Sequence, residues 1–116
     1  DEDGFFFITG RKKELIIKGG ENISPREIDD TLYKHNAVLE ACTFGIKDEN
    51  YGEEISACVF LKDNLFVNEE ELLALCTADL GEYKTPSQII FVDKPLPKGP
   101  SGKIQRLKIA SHYSHT

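Results

Sequence analysis

The segment at residues 94–103 is the feature that most constrains how this chain can fold. It holds three of the chain's five prolines and two glycines, and both residue types interrupt helices and strands. We therefore expect a stiff, extended loop there, with most of the packed elements before it and one helix after it. That last helix is predicted over residues 104–113, with Ile104, Leu107 and Ile109 facing inward.

The first part of the chain predicts a hairpin followed by a helix. Residues 4–9 and 14–18 are rich in aromatic and β-branched side chains and flank a basic turn, which is typical of two paired strands. Gly19-Gly20 ends the second strand. The stretch Ser24-Pro25-Arg26-Glu27 then combines an N-cap serine, a proline at the first helical position and the glutamate of a capping box. A helix is therefore expected over about residues 25–35.

A small sheet is predicted in the middle of the chain. Residues 38–45 and 55–61 are strand-like and are joined by a polar loop at 47–54. An N-cap at Asn68 starts a second helix, and the continuously apolar residues 89–92 suit a buried strand. The predicted fold class is α+β, an N-terminal two-stranded β-hairpin followed by a sheet of about three strands flanked by about three helices.

Composition bounds the kind of protein. A chain of 116 residues suits one domain. Its 14 basic and 20 acidic residues give a net charge of -6, which argues against nucleic acid or an anionic membrane as a partner of the whole surface. No apolar run is long enough for a membrane span, and the N-terminus lacks the pattern of a signal peptide. Because the sequence contains no methionine, we expect it to be a piece of a longer protein.

Three cysteines, Cys42, Cys58 and Cys76, are widely spaced and sit among apolar neighbours. Without a C-x-x-C pair, they predict buried thiols in a reducing compartment rather than a disulfide framework or a metal site. The expected location is the cytoplasm.

Three loops could bind anions, although the chain lacks a Walker loop, a G-x-G-x-x-G stretch and an H-E-x-x-H pair. The basic turn at residues 10–13 carries Arg11 and Lys13, but it could simply be solvated. Gly19-Gly20-Glu21 precedes a helix N-terminus, where glycines let a ligand approach the backbone, but these glycines could only serve the turn. Lys103 ends the proline-rich loop, where it could project its ammonium outward or be an ordinary surface lysine.

Taken together, residues 10–28 and 97–106 closely resemble two motifs of the AMP-forming acyl-CoA synthetase family, which includes firefly luciferase and the adenylation domains of peptide synthetases. Tyr51-Gly52-Glu53 and Tyr83-Lys84-Thr85-Pro86 also resemble that family. The resemblance covers nearly the whole chain. It implies that residues 1–116 are a single domain, the small mobile C-terminal domain of a two-domain enzyme whose N-terminal adenylation domain is absent here.

The resemblance also implies a reaction. Such enzymes join a carboxylic acid to AMP with ATP and Mg²⁺, both bound mainly by the N-terminal domain, and then transfer the acyl group to coenzyme A (CoA) as co-substrate. The domain would be inactive alone and would rotate between the two steps. It would work in the cytoplasm, in fatty acid metabolism, with no metal ligand of its own.

The implied roles fall on six residues. Lys103, in the catalytic-lysine loop at 94–103, matches the catalytic, nucleotide-binding lysine that bridges the substrate carboxylate and the α-phosphate during adenylation. Arg11 matches the arginine that binds the ribose hydroxyls, and Lys13 matches the hinge within the hairpin region at 1–18. The CoA-binding positions are Gly19, Gly20 and Glu21.

Two alternatives stay open. One is a free-standing adaptor or regulatory module that uses the basic loops to bind a phosphorylated ligand or partner. The other is the subdomain of a peptide-synthetase adenylation domain, although Asn22 resembles CoA-dependent relatives more closely than carrier-protein-dependent ones.

Overall fold

The computed structural model describes residues 15–113. In this part the chain forms five strands, three α-helices and one 3₁₀ turn, which follow one another in this order: β1 (Ile16–Lys18), β2 (Glu21–Ile23), α1 (Pro25–Tyr33), β3 (Val38–Asp48), β4 (Gly52–Leu61), α2 (Glu69–Leu80), the 3₁₀ turn (Glu82–Lys84), β5 (Gln88–Val92) and α3 (Arg106–Tyr113). The strands form one sheet in the order β2-β1-β4-β3, and β5 pairs with β4 beside β1. The predicted α+β class is confirmed.

The first hairpin within the described residues, β1 with β2, was not predicted from the sequence. The predicted strand at 14–18 corresponds to β1, but its expected partner at 4–9 lies outside the described residues. Within residues 15–113, β1 pairs with β2 across Gly19-Gly20, with Ile16 opposite Ile23 and Lys18 opposite Glu21. Strand β2 could not be predicted because its three residues carry only one apolar side chain, Ile23.

The hairpin of β3 and β4 is longer than predicted. The expected polar loop at 47–54 is mostly paired strand, and only residues 49–51 connect the two strands. The Asp48 carboxylate holds this tight connection by accepting hydrogen bonds from the N–H groups of Asn50 and Tyr51, at 2.9 and 3.0 Å. The long-loop prediction was therefore wrong, because polar side chains here accompany paired strand ends.

The start of α1 also differs from the prediction. Pro25 occupies the first turn, but the Ser24 side chain makes no cap hydrogen bond, so the expected capping box does not form. Glu27, its other member, accepts a hydrogen bond from Lys84 at 3.0 Å instead. The N-cap at Asn68 is confirmed, since its Oδ1 accepts from the N–H of Glu71 at 2.8 Å.

The sheet separates two apolar cores. One lies between the sheet and helices α1 and α2 and includes Ile28 and Leu32, as predicted. The other lies under α3 and includes Phe44 and Leu96. Because successive residues of a strand point to opposite faces, β3 and β4 contribute to both cores.

Two elements near the C-terminus are less buried than predicted. Of the strand expected at 89–92, Ile89 is buried but Phe91 is 40% exposed. Among the described strands β5 pairs only with β4, to which it is parallel, so it lies at an edge of the sheet. Helix α3 begins at Arg106 rather than at residue 104. Ile109 faces the core as predicted, whereas Leu107 is 48% exposed and points outward.

Cys42, Cys58 and Cys76 are buried, as the sequence predicts, and no disulfide joins these three described residues. Burial raises the pKa of Cys58 to about 11 and, with a smaller contribution from the Asp79 charge, raises the pKa of Cys76 to about 11. Among the helices that the structure describes, none is both long and apolar enough to cross a membrane.

Candidate functional site

The turn between β1 and β2 has the backbone that two glycines favour. Gly19 and Gly20 have φ angles of +58° and +84°, and positive φ values at both central positions are what a two-residue hairpin turn of type I′ requires. The N–H of Gly19 donates a 2.7 Å hydrogen bond to the carbonyl of Tyr51, at the end of the β3–β4 hairpin. The turn is therefore fixed to the sheet rather than free.

The buried side chain of Lys18, just before the glycine turn, connects β1 to β4 and to the 3₁₀ turn. It is only 7% exposed, and its Nζ lies 3.1 Å from Oε1 of Glu54 and 3.0 Å from the carbonyl oxygen of Tyr83. The ammonium also lies 4.6 Å from the centre of the Tyr83 ring, within range of a cation–π interaction. Sequence reasoning missed Lys18, although its position two residues after Ile16 places it on the buried face of the strand.

The two glycines have different surroundings. A Cβ atom at Gly19 would lie 2.3 Å from Oη of Tyr83, whereas a Cβ atom at Gly20 would have no neighbour within 4 Å in the part of the chain that the structure describes. Gly19 is thus required by packing, and the open side of Gly20 lets another molecule approach the backbone. Glu21 follows on the exposed end of β2.

Lys103 lies in a compact turn and not in an extended loop. The N–H of Gly99 bonds the carbonyl of Lys103 at 2.9 Å, and the N–H of Gly102 bonds the carbonyl of Gly99 at 2.9 Å. Next to them, Lys98 and Ile104 form an antiparallel bridge. The chain therefore reverses at residues 99–103, which corrects the expected extended arm. Lys103 remains exposed at the edge of this turn.

The first arm of the Lys103 turn is anchored to β3 through Glu40. Leu96 is buried, and its N–H donates a 2.8 Å hydrogen bond to Oε1 of Glu40. Lys98 Nζ lies 2.5 Å from the other carboxylate oxygen. Partial burial would raise the pKa of Glu40, but the hydrogen bonds from Lys98 and Leu96, with the Lys98 charge, lower it below 4.5.

The second arm is anchored through Arg106, the first residue of α3. Its Nη1 donates to Oδ2 of Asp29 at 2.8 Å and to the carbonyl of Thr43 at 3.0 Å. The other oxygen of Asp29 accepts a 2.7 Å hydrogen bond from the N–H of Thr43. Burial raises the pKa of Asp29 above 3.8, while Arg106 and the Thr43 hydrogen bonds oppose that increase. From the sequence, Arg106 was recognised only as part of the motif at residues 97–106, and no pattern predicted that it pairs with Asp29.

The structure holds the two loops apart. The Gly19-Gly20 turn is attached beside Tyr51, just after the end of β3, while the Lys103 turn is attached at Glu40, near its start. At a rise of 3.3 Å per residue, these attachment points are on the order of 25 Å apart. The loops also pack on different cores, because Ile16 and Ile23 belong to the α1–α2 core and Leu96 to the α3 core.

Two predicted site residues, Arg11 and Lys13, lie outside the described residues. Between residues 15 and 113, no group of three or more His, Cys, Asp or Glu side chains could hold a metal ion, so none of these residues is assigned to Mg²⁺.

Comparisons with known proteins give one consistent result. The sequence model of the AMP-binding enzyme C-terminal domain matches residues 27–103. The chain is 53% identical over 112 residues to the sulfoacetate–CoA ligase of Cupriavidus necator, covering 97% of the chain and 22% of that protein. It is 44% identical over 113 residues to the oxalate–CoA ligase of Arabidopsis thaliana, covering 97% and 22%.

Solved structures agree with these sequence matches. The Mycobacterium tuberculosis fatty acyl CoA synthetase superposes with a TM-score of 0.80 at 35% sequence identity, covering 88% of this chain and 20% of that one. This chain therefore spans about a fifth of the length of the curated relatives it matches.

Proposed function

Because the chain belongs to the family of AMP-binding enzyme C-terminal domains, we propose that it is the mobile C-terminal domain of a two-domain, AMP-forming acyl-CoA synthetase. The whole enzyme converts a carboxylic acid, ATP and CoA into acyl-CoA, AMP and pyrophosphate. The observation that carries this proposal is the pair of separately anchored loops, which bear the two motifs at different ends of the sheet. The domain is inactive alone, since each loop serves a site on the N-terminal domain.

Lys103 acts in the first step. A carboxylate oxygen of the substrate attacks the α-phosphorus of ATP, and the bond to pyrophosphate breaks. Two anionic groups must approach each other, so an ammonium placed between them lowers the barrier, by roughly 10²- to 10³-fold in rate for a preorganised donor. The exposed position of Lys103 on an anchored turn suits this role.

The Gly19-Gly20 turn acts in the second step. The CoA sulfur attacks the acyl carbonyl carbon, and AMP leaves with the electrons of the acyl–oxygen bond. The pantetheine arm must reach this carbon through a narrow passage, and the open side of Gly20 leaves room for it. Glu21 borders the same passage.

The domain alternates between two orientations. Because the two turns are attached far apart, one rigid domain presents them to the same active centre only in turn, by rotating as a body. Lys13 is the proposed hinge, and Arg11 contacts the ribose hydroxyls of the nucleotide.

The acid is chosen elsewhere in the enzyme. The two CoA ligases compared above are named for sulfoacetate and oxalate, yet both match nearly all of this chain. We propose that the acyl pocket, together with the main binding sites of ATP and Mg²⁺, lies in the N-terminal domain. The buried cysteines, which form no disulfide among the described residues, suit a reducing compartment such as the cytoplasm, and the reaction fits fatty acid metabolism.

The test uses the complete gene product that contains this chain. The purified protein is incubated with ATP, Mg²⁺, CoA and a panel of acids that includes sulfoacetate, oxalate and medium-chain fatty acids. Acid-dependent formation of AMP and acyl-CoA, measured by chromatography and mass spectrometry, is the expected result. Acyl transfer to a carrier-protein thiol but not to CoA would favour the peptide-synthetase subdomain. Binding of a phosphorylated ligand without AMP formation would favour the adaptor.

A further inference from the structure

A buried ion pair binds the backbone of β3, an edge strand of the sheet, next to the Lys103 turn. The carboxylate of Asp29 and the guanidinium of Arg106 are only 11% and 12% exposed. Together they bond both the N–H and the carbonyl of Thr43. The pair thus joins three elements, α1, β3 and α3, at one point.

The backbone links this point to Lys103. The carbonyl of Lys103 accepts from Gly99, and the N–H of Gln105 donates to the carbonyl of Pro97 at 2.9 Å. These bonds leave little freedom between Lys103 and the start of α3. The orientation of the turn therefore depends on where Arg106 is held.

The Arg106 anchor is the stronger of the two anchors of the turn. The other anchor is the ion pair of Lys98 with Glu40. The Lys98 side chain is 34% exposed, so solvent weakens its attraction to Glu40. Arg106 is more buried, and its planar guanidinium bonds a carboxylate and a carbonyl in fixed directions.

We infer that Arg106, held by Asp29, is a positioning residue that sets the location of the Lys103 ammonium during adenylation. This inference rests on the proposed function. Arg106 acts through Lys103 and not on the substrate, since its guanidinium is directed into the domain, toward Asp29 and Thr43. A displacement of about 1 Å in a charged group at the reacting atoms is enough to lower a rate by about 10- to 100-fold.

The experiment is a double-mutant cycle in the complete gene product. Variants Arg106→Met, Lys103→Ala and the double variant are compared in two half-reactions, acyl-adenylate formation and transfer from preformed adenylate to CoA. We expect Arg106→Met to lower kcat of adenylation about 10- to 100-fold with the KM for ATP almost unchanged. Transfer to CoA should stay near the wild-type rate. In the Lys103→Ala background, Arg106→Met should cause no further loss, because the group that it positions is already gone.

Two further variants separate positioning from folding. Asp29→Asn removes the charge but keeps an oxygen that can accept the Thr43 N–H, and it should reproduce the selective loss in weaker form. The matched control Lys34→Met breaks the exposed ion pair between Lys34, at the C-terminal end of α1, and Asp79, near the end of α2. It should leave both half-reactions unchanged.

Equal losses in both half-reactions, or a loss that adds fully to that of Lys103→Ala, would overturn the inference. If Arg106→Met does not fold, the same comparison with Asp29→Asn decides it. A wild-type protein that forms no adenylate with any acid would instead contradict the proposed function.

Discussion

The phenolic hydroxyl of Tyr83 donates a 2.6 Å hydrogen bond to the carbonyl oxygen of Lys18. Lys18 returns the contact, because its ammonium donates to the carbonyl of Tyr83 at 3.0 Å. This reciprocal pair joins the first strand of the sheet to the 3₁₀ turn that follows α2. The same tyrosine side chain occupies the space where a Cβ atom at Gly19 would lie, so Tyr83 and the glycine turn depend on each other although they are distant in sequence.

Tyr83→Phe should destabilise the domain by about 1 kcal/mol, because the partly buried Lys18 carbonyl loses its hydrogen bond while the ring packing is kept. The measurement is the free energy of unfolding of the purified chain in urea. Tyr51→Phe is the matched control, since it removes a hydroxyl from a side chain that is 46% exposed. An equal effect of the two changes would contradict the importance of the Tyr83–Lys18 bond.

Gly20→Leu should block thioester formation while leaving adenylation largely intact. A Cβ atom at Gly20 meets no atom of residues 15–113 within 4 Å, so a leucine side chain would extend from there into the space that we assign to the pantetheine arm. The positive φ adds a modest strain of about 1 kcal/mol. Pyrophosphate exchange and acyl-CoA yield are measured in the complete protein. A normal acyl-CoA yield would exclude this passage as the path of CoA.

Gly20→Ala serves as the control for that strain. It imposes nearly the same backbone cost but adds only one carbon, so its stability should match that of Gly20→Leu while its acyl-CoA yield should be much higher.

The parts of the fold that follow local rules were predictable from sequence. The turn glycines, the N-cap at Asn68 and the apolar spacing of Ile28 and Leu32 all act within a few residues, and each lies where expected. The strand β2 was missed because three residues contain too little periodicity to distinguish a strand from a loop.

Long-range polar contacts were not predictable. The capping box failed because Glu27 bonds Lys84, which is distant in sequence. The extended arm was wrong because two backbone hydrogen bonds at Gly99 close the proline-rich segment into a turn. Likewise, nothing near Asp29 in sequence indicates that Arg106 is its partner, since only the folded sheet edge brings them together.

Glu40→Gln should remove part of the acid sensitivity of the fold. The pKa of Glu40 is lowered below 4.5 in the folded protein, so the folded state binds fewer protons there than the unfolded state. Its stabilising contribution is therefore fully present above pH 4.5 and is lost as the pH falls through the folded pKa. The expected destabilisation by Glu40→Gln is about 1 kcal/mol near neutral pH.

That difference is measured by urea unfolding of the two proteins across a pH series. It should shrink as the solution is acidified below pH 4.5. A difference that stays constant, or grows in acid, would contradict the assigned contacts of Glu40 with Lys98 and Leu96.

The cysteines should resist alkylation in the folded protein. The thiols of Cys58 and Cys76 have a pKa of about 11, so only about one in 10³ of them is deprotonated at pH 8. Iodoacetamide labelling followed by peptide mass spectrometry should show slow modification of both in buffer and rapid modification in guanidinium chloride. Fast labelling of either cysteine under native conditions would contradict its place in a packed core.

Lys103→Ala should lower adenylate formation by roughly 10²- to 10³-fold, because the ammonium offsets charge only while the carboxylate and the α-phosphate are pressed together. Transfer of a preformed acyl-adenylate to CoA should be nearly unaffected, since the Gly19-Gly20 turn then faces the active centre. Both half-reactions are measured in the complete protein. Lys108→Ala removes another exposed lysine from the same basic stretch and should change neither rate. A comparable loss with Lys108→Ala would point to net charge, and equal losses in the two half-reactions would contradict the division of work between the two loops.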